Sequence, residues 1–211
     1  MGERLLVAFV PPVKITKNLE EIREILGEEI QAGASLKTPH ITIVDNSYVN
    51  IKNVEKALGK IAKTFSPIIT ETKGIDTFNV NKKLKIEKYA QNNSLIYMIK
   101  SNPSMNKLRK EILKSLKPLQ TGERLAQWKE QNIGLSKRAL FNINKYGTPF
   151  SLKEWKFHAT VGLIPRKKQK EILNKIQKFN VVDSLRFDKF VLFVRKERWE
   201  MVKEYFLKVR V

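Results

Sequence analysis

The 211-residue chain sets 41 Lys plus Arg against 21 Asp plus Glu, a formal net charge of +20, with 42% hydrophobic residues. Cysteine is absent, which excludes disulfides, thiolate metal sites and cysteine nucleophiles. No apolar run approaches the ~18–20 residues of a membrane span, and the first residues are too polar for a signal peptide, so a cytoplasmic protein is expected.

Residues 4–12 (RLLVAFVPP) read as a buried strand closed by a proline pair. A short helix follows over 18–26, with Leu19, Ile22 and Ile25 at helical spacing. Pro39 introduces an alternating strand, His40-Ile41-Thr42-Ile43-Val44. Asn50 is the expected N-cap of a helix over 51–65 whose stripe is Ile51, Val54, Leu58, Ile61 and Phe65. Strands are expected at 68–73, 78–80 and 84–88.

The second half opens with a strand at 94–100 (SLIYMIK) and a helix over 103–119. Residues 120–152 are polar and turn-rich, with one helical candidate at 123–131. A second alternating strand, His158-Ala159-Thr160-Val161-Gly162, leads to a helix over 169–179. Segments 186–195 and 200–208 then form an antiparallel pair. Each half thus runs strand, helix, short His-x-Thr strand, helix, strands, a repeat of pattern rather than of letters. The expectation is one domain over 1–211, with halves of about 1–90 and 91–211 and an insertion at about 120–152. A duplicated unit of this kind places the two His-x-Thr strands symmetrically about a groove.

Alternate residues of a strand share a face. His40 and Thr42 therefore point one way and Ile41 and Ile43 the other; His158 and Thr160 behave likewise, and Gly162 leaves room on that face. Two imidazoles can remove a proton from an attacking oxygen and deliver one to a leaving oxygen near neutrality. Two threonine hydroxyls can hydrogen-bond the phosphate oxygens on which charge builds. His40 and His158 are the only histidines, and two such ligands do not make a closed zinc site, so neither metal nor cofactor is expected. The positive charge attracts polyanions, nucleic acid above all, and the excess of lysine over arginine favours diffuse phosphate attraction over base reading.

At these residues the chain resembles the 2H phosphoesterase superfamily, in particular its 2′-5′ RNA ligase / RNA 2′,3′-cyclic phosphodiesterase branch. The resemblance runs through LLVAFVPP, PHITIV, KGIDTFN, SLIYMI, FHATVGLIPR and the closing strand pair. It implies a bilobal α/β (α+β) fold: two pseudo-symmetric antiparallel-sheet lobes with outer helices around a positively charged cleft. It implies hydrolysis of a 2′,3′-cyclic phosphate to a 2′-phosphate, with 2′-5′ joining of RNA ends in some members. His40 would be the general acid, His158 the base, and Thr42 and Thr160 the phosphate holders. The chain departs from the branch at Ile43 and Val161, where Leu is common, and in the 120–152 segment.

Weaker candidates surround this set. Arg166 corresponds loosely to a basic residue of the family and is a phosphate-binding candidate. Tyr48, Lys82, Lys83, Lys167 and Lys168 are candidate RNA contacts, and Phe78, Trp128, Tyr146 and Trp155 candidate stacking residues. The expected partner is RNA, bound by a monomer. Two rivals stay open: a non-catalytic RNA- or nucleotide-binding module of the same fold, and a cyclic phosphodiesterase for a small nucleotide.

Overall fold

The computed structural model describes residues 2–31, 39–78, 91–123, 126, 136–146 and 155–208. The first half runs β1 (Glu3–Phe9), α1 (Val13–Leu26), β2 (Ile41–Tyr48), α2 (Ile51–Ala62) and β3 (Ile68–Phe78). The second runs β4 (Asn92–Ile99), α3 (Pro103–Leu116), α4 (Lys137–Tyr146), β5 (His158–Pro165), α5 (Gln169–Lys175), β6 (Ser184–Phe187), β7 (Lys189–Arg195) and β8 (Trp199–Phe206). Among the described residues no helix is long and apolar enough to cross a membrane.

Local chemistry explains most boundaries. The Asn50 side chain accepts from the backbone N–H groups of Lys52 and Asn53, as an N-cap should. Asn102 caps α3 through Met105, with Pro103 in the first turn. α1 begins about a turn earlier than expected, because Ile15 extends the buried stripe of Leu19, Ile22 and Leu26. α3 stops at Leu116 and tightens into a 3-10 turn, Lys117–Leu119, since Pro118 lacks the N–H that would continue the ladder. Only Glu123 and Ala126 of the 123–131 helical candidate fall among the described residues; α4 is the helix described between α3 and β5.

β3 corrects a second expectation. Two separate strands at 68–73 and 78–80 are replaced by one strand through Phe78, while 84–88 lies outside the described residues. The apparent break is a bulge: Gly74 sits at φ 81° where the pairing with β4 shifts register. A Cβ at that position would run into the side chain of Asn180. Gly74→Ala is therefore expected to cost on the order of 1–3 kcal/mol, read as a lower midpoint in urea or thermal unfolding.

Among the described residues all strand pairings are antiparallel, in the order β6-β3-β4-β5-β2-β1-β7-β8. Two four-stranded halves, β6-β3-β4-β5 and β2-β1-β7-β8, join where β2 meets β5 at one pair, Ile41 opposite Ala159. The halves of the sheet mix the halves of the chain. β3 crosses to pair with β4, and β7 returns to pair with β1.

Beyond that crossing the two central strands diverge, and each open edge is taken up in the same way. Gln31, just after α1 and the 3-10 turn Gly27–Glu29, exchanges two 2.9 Å backbone bonds with Leu163 of β5. The segment after α3 and its 3-10 turn does the same for β2: Val49 donates to Leu119 and Thr121 to Ser47. The pseudo-twofold is thus written in hydrogen bonds as well as in element order. One face of the sheet carries the main core, where Leu5, Val7, Phe9, Ile41, Ile43, Ala159 and Val161 pack with Ile15, Leu19, Ile22, Leu108 and Ile112 of α1 and α3.

Candidate active site

The crossing of β2 and β5 decides where the motif residues go. Ile41 and Ala159, the paired residues, are fully buried in the core. Their chain neighbours point to the opposite face. In an antiparallel register His40 then falls opposite Thr160, and Thr42 opposite His158. The exposure pattern agrees: His40, Thr42, His158 and Thr160 are half-buried, whereas Pro39, Ile41, Ile43, Phe157, Ala159 and Val161 are buried. The two motifs form a single quartet. His40 and His158 are thus diagonal neighbours across the crossing, on one face of it.

A backbone carbonyl and two aromatic rings hold His158. Its Nδ1 lies 2.7 Å from the Lys156 carbonyl oxygen. A carbonyl only accepts, so Nδ1 carries the proton and Nε2 keeps the lone pair in the neutral ring. Phe78 meets the imidazole edge-on at 4.7 Å between centroids, and Trp155 lies at 6.3 Å. Burial lowers the His158 pKa below the ordinary histidine value; the Lys156 carbonyl opposes this, and the charge of His40 adds to it. Phe78 and Trp155, expected as stacking candidates, are walls of the histidine's own pocket.

Two arginines that the sequence reading passed over reach the same strands. Arg109 of α3 is 1% exposed, and its Nε donates to the Ile43 carbonyl at 3.0 Å. Its guanidinium also stacks at 4.3 Å on Trp155, and burial pushes its pKa down to about 9. Arg23 of α1 donates from Nε to the Val161 carbonyl at 2.9 Å and from Nη2 to the Thr160 carbonyl at 3.4 Å. A signal was present: Leu19, Ile22 and Leu26 frame Arg23 as Met105, Leu108 and Ile112 frame Arg109, an arginine in the same slot of an apolar stripe in each half.

Several weaker candidates are displaced. Tyr48 is fully buried in the core, where no base can reach it. Arg166 stands at the far end of β5, roughly 25 Å of strand from His158 at ~3.3 Å per residue, and its Nε donates to Asn93 and Asn92. Lys167 and Lys168 share that remote turn, and Lys168 faces Glu29 at 3.7 Å. Lys82, Lys83 and Trp128 lie outside the described residues. Tyr146 packs against the core. Gly162 does not open space for a ligand. A bulge at Val161 shifts the register against β4, and a Cβ on Gly162 would stand 2.5 Å from Ile30 and 2.8 Å from the Gln31 carbonyl. The glycine admits the bridging segment instead. Among the described residues no group of three or more histidine, aspartate or glutamate side chains converges to hold a metal ion.

The fold has solved counterparts. The chain is similar to TT0787 of Thermus thermophilus, at 12% identity, with 97% of each chain covered and a TM-score of 0.57. It is similar also to E. coli LigT in its apo form, at 14% identity, with 99% of each chain covered and a TM-score of 0.54. LigT has been solved with phosphate and with 3′-AMP as well. Two pseudo-symmetric antiparallel half-sheets, each with a His-x-Thr strand at the inner edge where the halves meet, make this the 2H phosphoesterase fold. The chain itself belongs to the family described as "Protein of unknown function (DUF1045)", which it matches over residues 50–201. No curated protein matches it.

Proposed function

We propose that the chain is a phosphoesterase acting on RNA ends, opening 2′,3′-cyclic phosphates to 2′-phosphates without a metal. The observation that carries this reading is the quartet of His40, Thr42, His158 and Thr160 on one face of the single pair that joins the two half-sheets. LigT, whose fold the chain shares, has been solved with phosphate and with 3′-AMP, which supports a phosphate-bearing nucleotide as ligand. The net charge of +20 draws a polyanion toward it. RNA as partner and a monomeric, cytoplasmic protein belong to the same reading.

In this mechanism His158 is the base. Its Nε2 lone pair takes a proton from the attacking water while Nδ1–H stays bonded to Lys156. The water oxygen bonds to phosphorus, the P–O3′ bond breaks, and His40 delivers a proton to the departing 3′-oxygen. Thr42 and Thr160 donate hydrogen bonds to the non-bridging oxygens as charge gathers there. A 5′-hydroxyl in place of water gives a 2′-5′ bond by the same displacement.

The depressed pKa fixes a pH expectation. A base works only when unprotonated, and a lowered pKa extends that state to more acidic solution. The acidic limb of the kcat/KM profile is therefore expected below the ordinary histidine value of about 6.5. A limb at or above that value would contradict the buried, neutral ring.

The reading is tested by incubating the protein, with EDTA present, with RNA bearing a 2′,3′-cyclic phosphate and with cyclic mononucleotides. The expected result is conversion of the RNA end to a 2′-phosphate. RNA bound but returned unchanged would replace the enzyme with a binding module, and turnover of mononucleotides alone would move the substrate to a small nucleotide.

A further inference from the structure

We infer that Arg23 and Arg109 are a matched pair of positioning residues, each reaching from the helix of one half to hold the His-x-Thr strand of the other half at the same carbonyl. The inference deepens the phosphoesterase reading and rests on it for the meaning of the site, though not for the geometry.

The geometry is crossed. α1 follows β1, which pairs with β2, yet its Arg23 bonds β5; α3 follows β4, which pairs with β5, yet its Arg109 bonds β2. Both Nε atoms choose the carbonyl three residues past the motif histidine, Val161 after His158 and Ile43 after His40. The choice has a physical cause. β2 and β5 pair only at Ile41 and Ala159 and then part, so carbonyls just beyond the crossing need partners other than each other. A guanidinium supplies donors in a fixed fork. Arg23 uses two of them, on Val161 and on Thr160, the carbonyl of a proposed phosphate holder. Arg109 adds a second restraint, stacking on the Trp155 ring that flanks His158. Each arginine ties a core helix to the backbone that aims one histidine–threonine pair, and a misplacement of about 1 Å at such a site can cost about a hundredfold in rate.

The test uses the 211-residue chain, which holds two histidines, His40 and His158. Their imidazole resonances are followed by NMR through a pH titration in the wild type and in Arg23→Met, Arg23→Lys and Arg109→Met, beside kcat, KM and the thermal midpoint. Arg23→Met is expected to lower kcat by roughly 10–100-fold with little change in KM. The His158 pKa should rise toward its ordinary value as the strand loosens and water reaches the ring, and the acidic limb of kcat/KM should move up with it. Arg23→Lys is expected to restore little, since one ammonium cannot span both carbonyls. Arg109→Met is expected to move the His40 resonances; should that variant fail to fold, the half-buried Arg23 carries the test. An Arg23→Met protein with unchanged kcat and unchanged His158 titration, even with a lowered midpoint, would overturn the positioning role and leave the phosphoesterase reading standing. A shifted His158 titration in Arg23→Met, in a wild type that turns over no cyclic phosphate, would uphold the positioning role and remove that reading.

Discussion

His158→Ala is expected to lower kcat for opening a 2′,3′-cyclic RNA end by about 10²–10⁴-fold, the range of a well-placed general base. The reason lies in how much of the structure is spent on this one ring. Its tautomer is set by the Lys156 carbonyl, and its pocket by Phe78 and Trp155. Burial keeps it neutral in the pH range where a base is needed. Folding should survive the change, because the core is built by the buried neighbours Phe157 and Ala159 on the other face. Loss of the edge-on contact with Phe78 is worth about 0.5–1.5 kcal/mol. In a domain of this size that moves the thermal midpoint by about 2–4 °C per kcal/mol. A large loss of rate with a small loss of midpoint is the expected signature, read by single-turnover kinetics beside a melting curve.

Thr160→Val is expected to produce the second largest effect, a fall in kcat of about 10²–10³-fold, as for removal of one oxyanion donor. Valine nearly matches threonine in shape, so the half-buried position and the pairing of Thr160 with Ile96 are retained. What is lost, on the proposed mechanism, is one hydroxyl that donates to the phosphate. Because charge on the non-bridging oxygens grows toward the transition state, kcat should fall more than KM rises. Thr160→Ser, which keeps the hydroxyl, should retain most of the rate. Equal losses in the serine and valine variants would mean that the side chain packs rather than binds.

The faces of the site were legible because strand geometry is local. Alternation in His40-Ile41-Thr42-Ile43 and in His158-Ala159-Thr160-Val161 is enough to put imidazole and hydroxyl on one side and aliphatic carbons on the other. The repeated order of elements gave a reason for the two strands to meet. That they meet at a single pair, and so place each histidine opposite the other motif's threonine, is a matter of tertiary register, which no local pattern carries. The errors came from treating closeness in sequence as closeness in space. Arg166 is eight residues from His158, but along an extended strand that is the far end of the sheet. Tyr48 shares the parity of His40, yet the register shift against β1 at Ile43 turns β2 over, so that Val44 and Tyr48 enter the main core. Gly162 looked like space for a ligand until the bulge at Val161 turned it toward Ile30. Arg23 and Arg109 stayed hidden because an arginine in an amphipathic helix is normally read as solvent-facing, and their partners are backbone carbonyls on strands distant in sequence.

On the proposed mechanism the two motifs act as one unit on one phosphate. Single-turnover cleavage of a cyclic-phosphate RNA by the wild type, His40→Ala, His158→Ala and the double variant tests it most directly. Groups that serve the same displacement are strongly non-additive, so each single variant should lose most of the rate and the double variant little more. Wild-type turnover in either single variant would contradict the account.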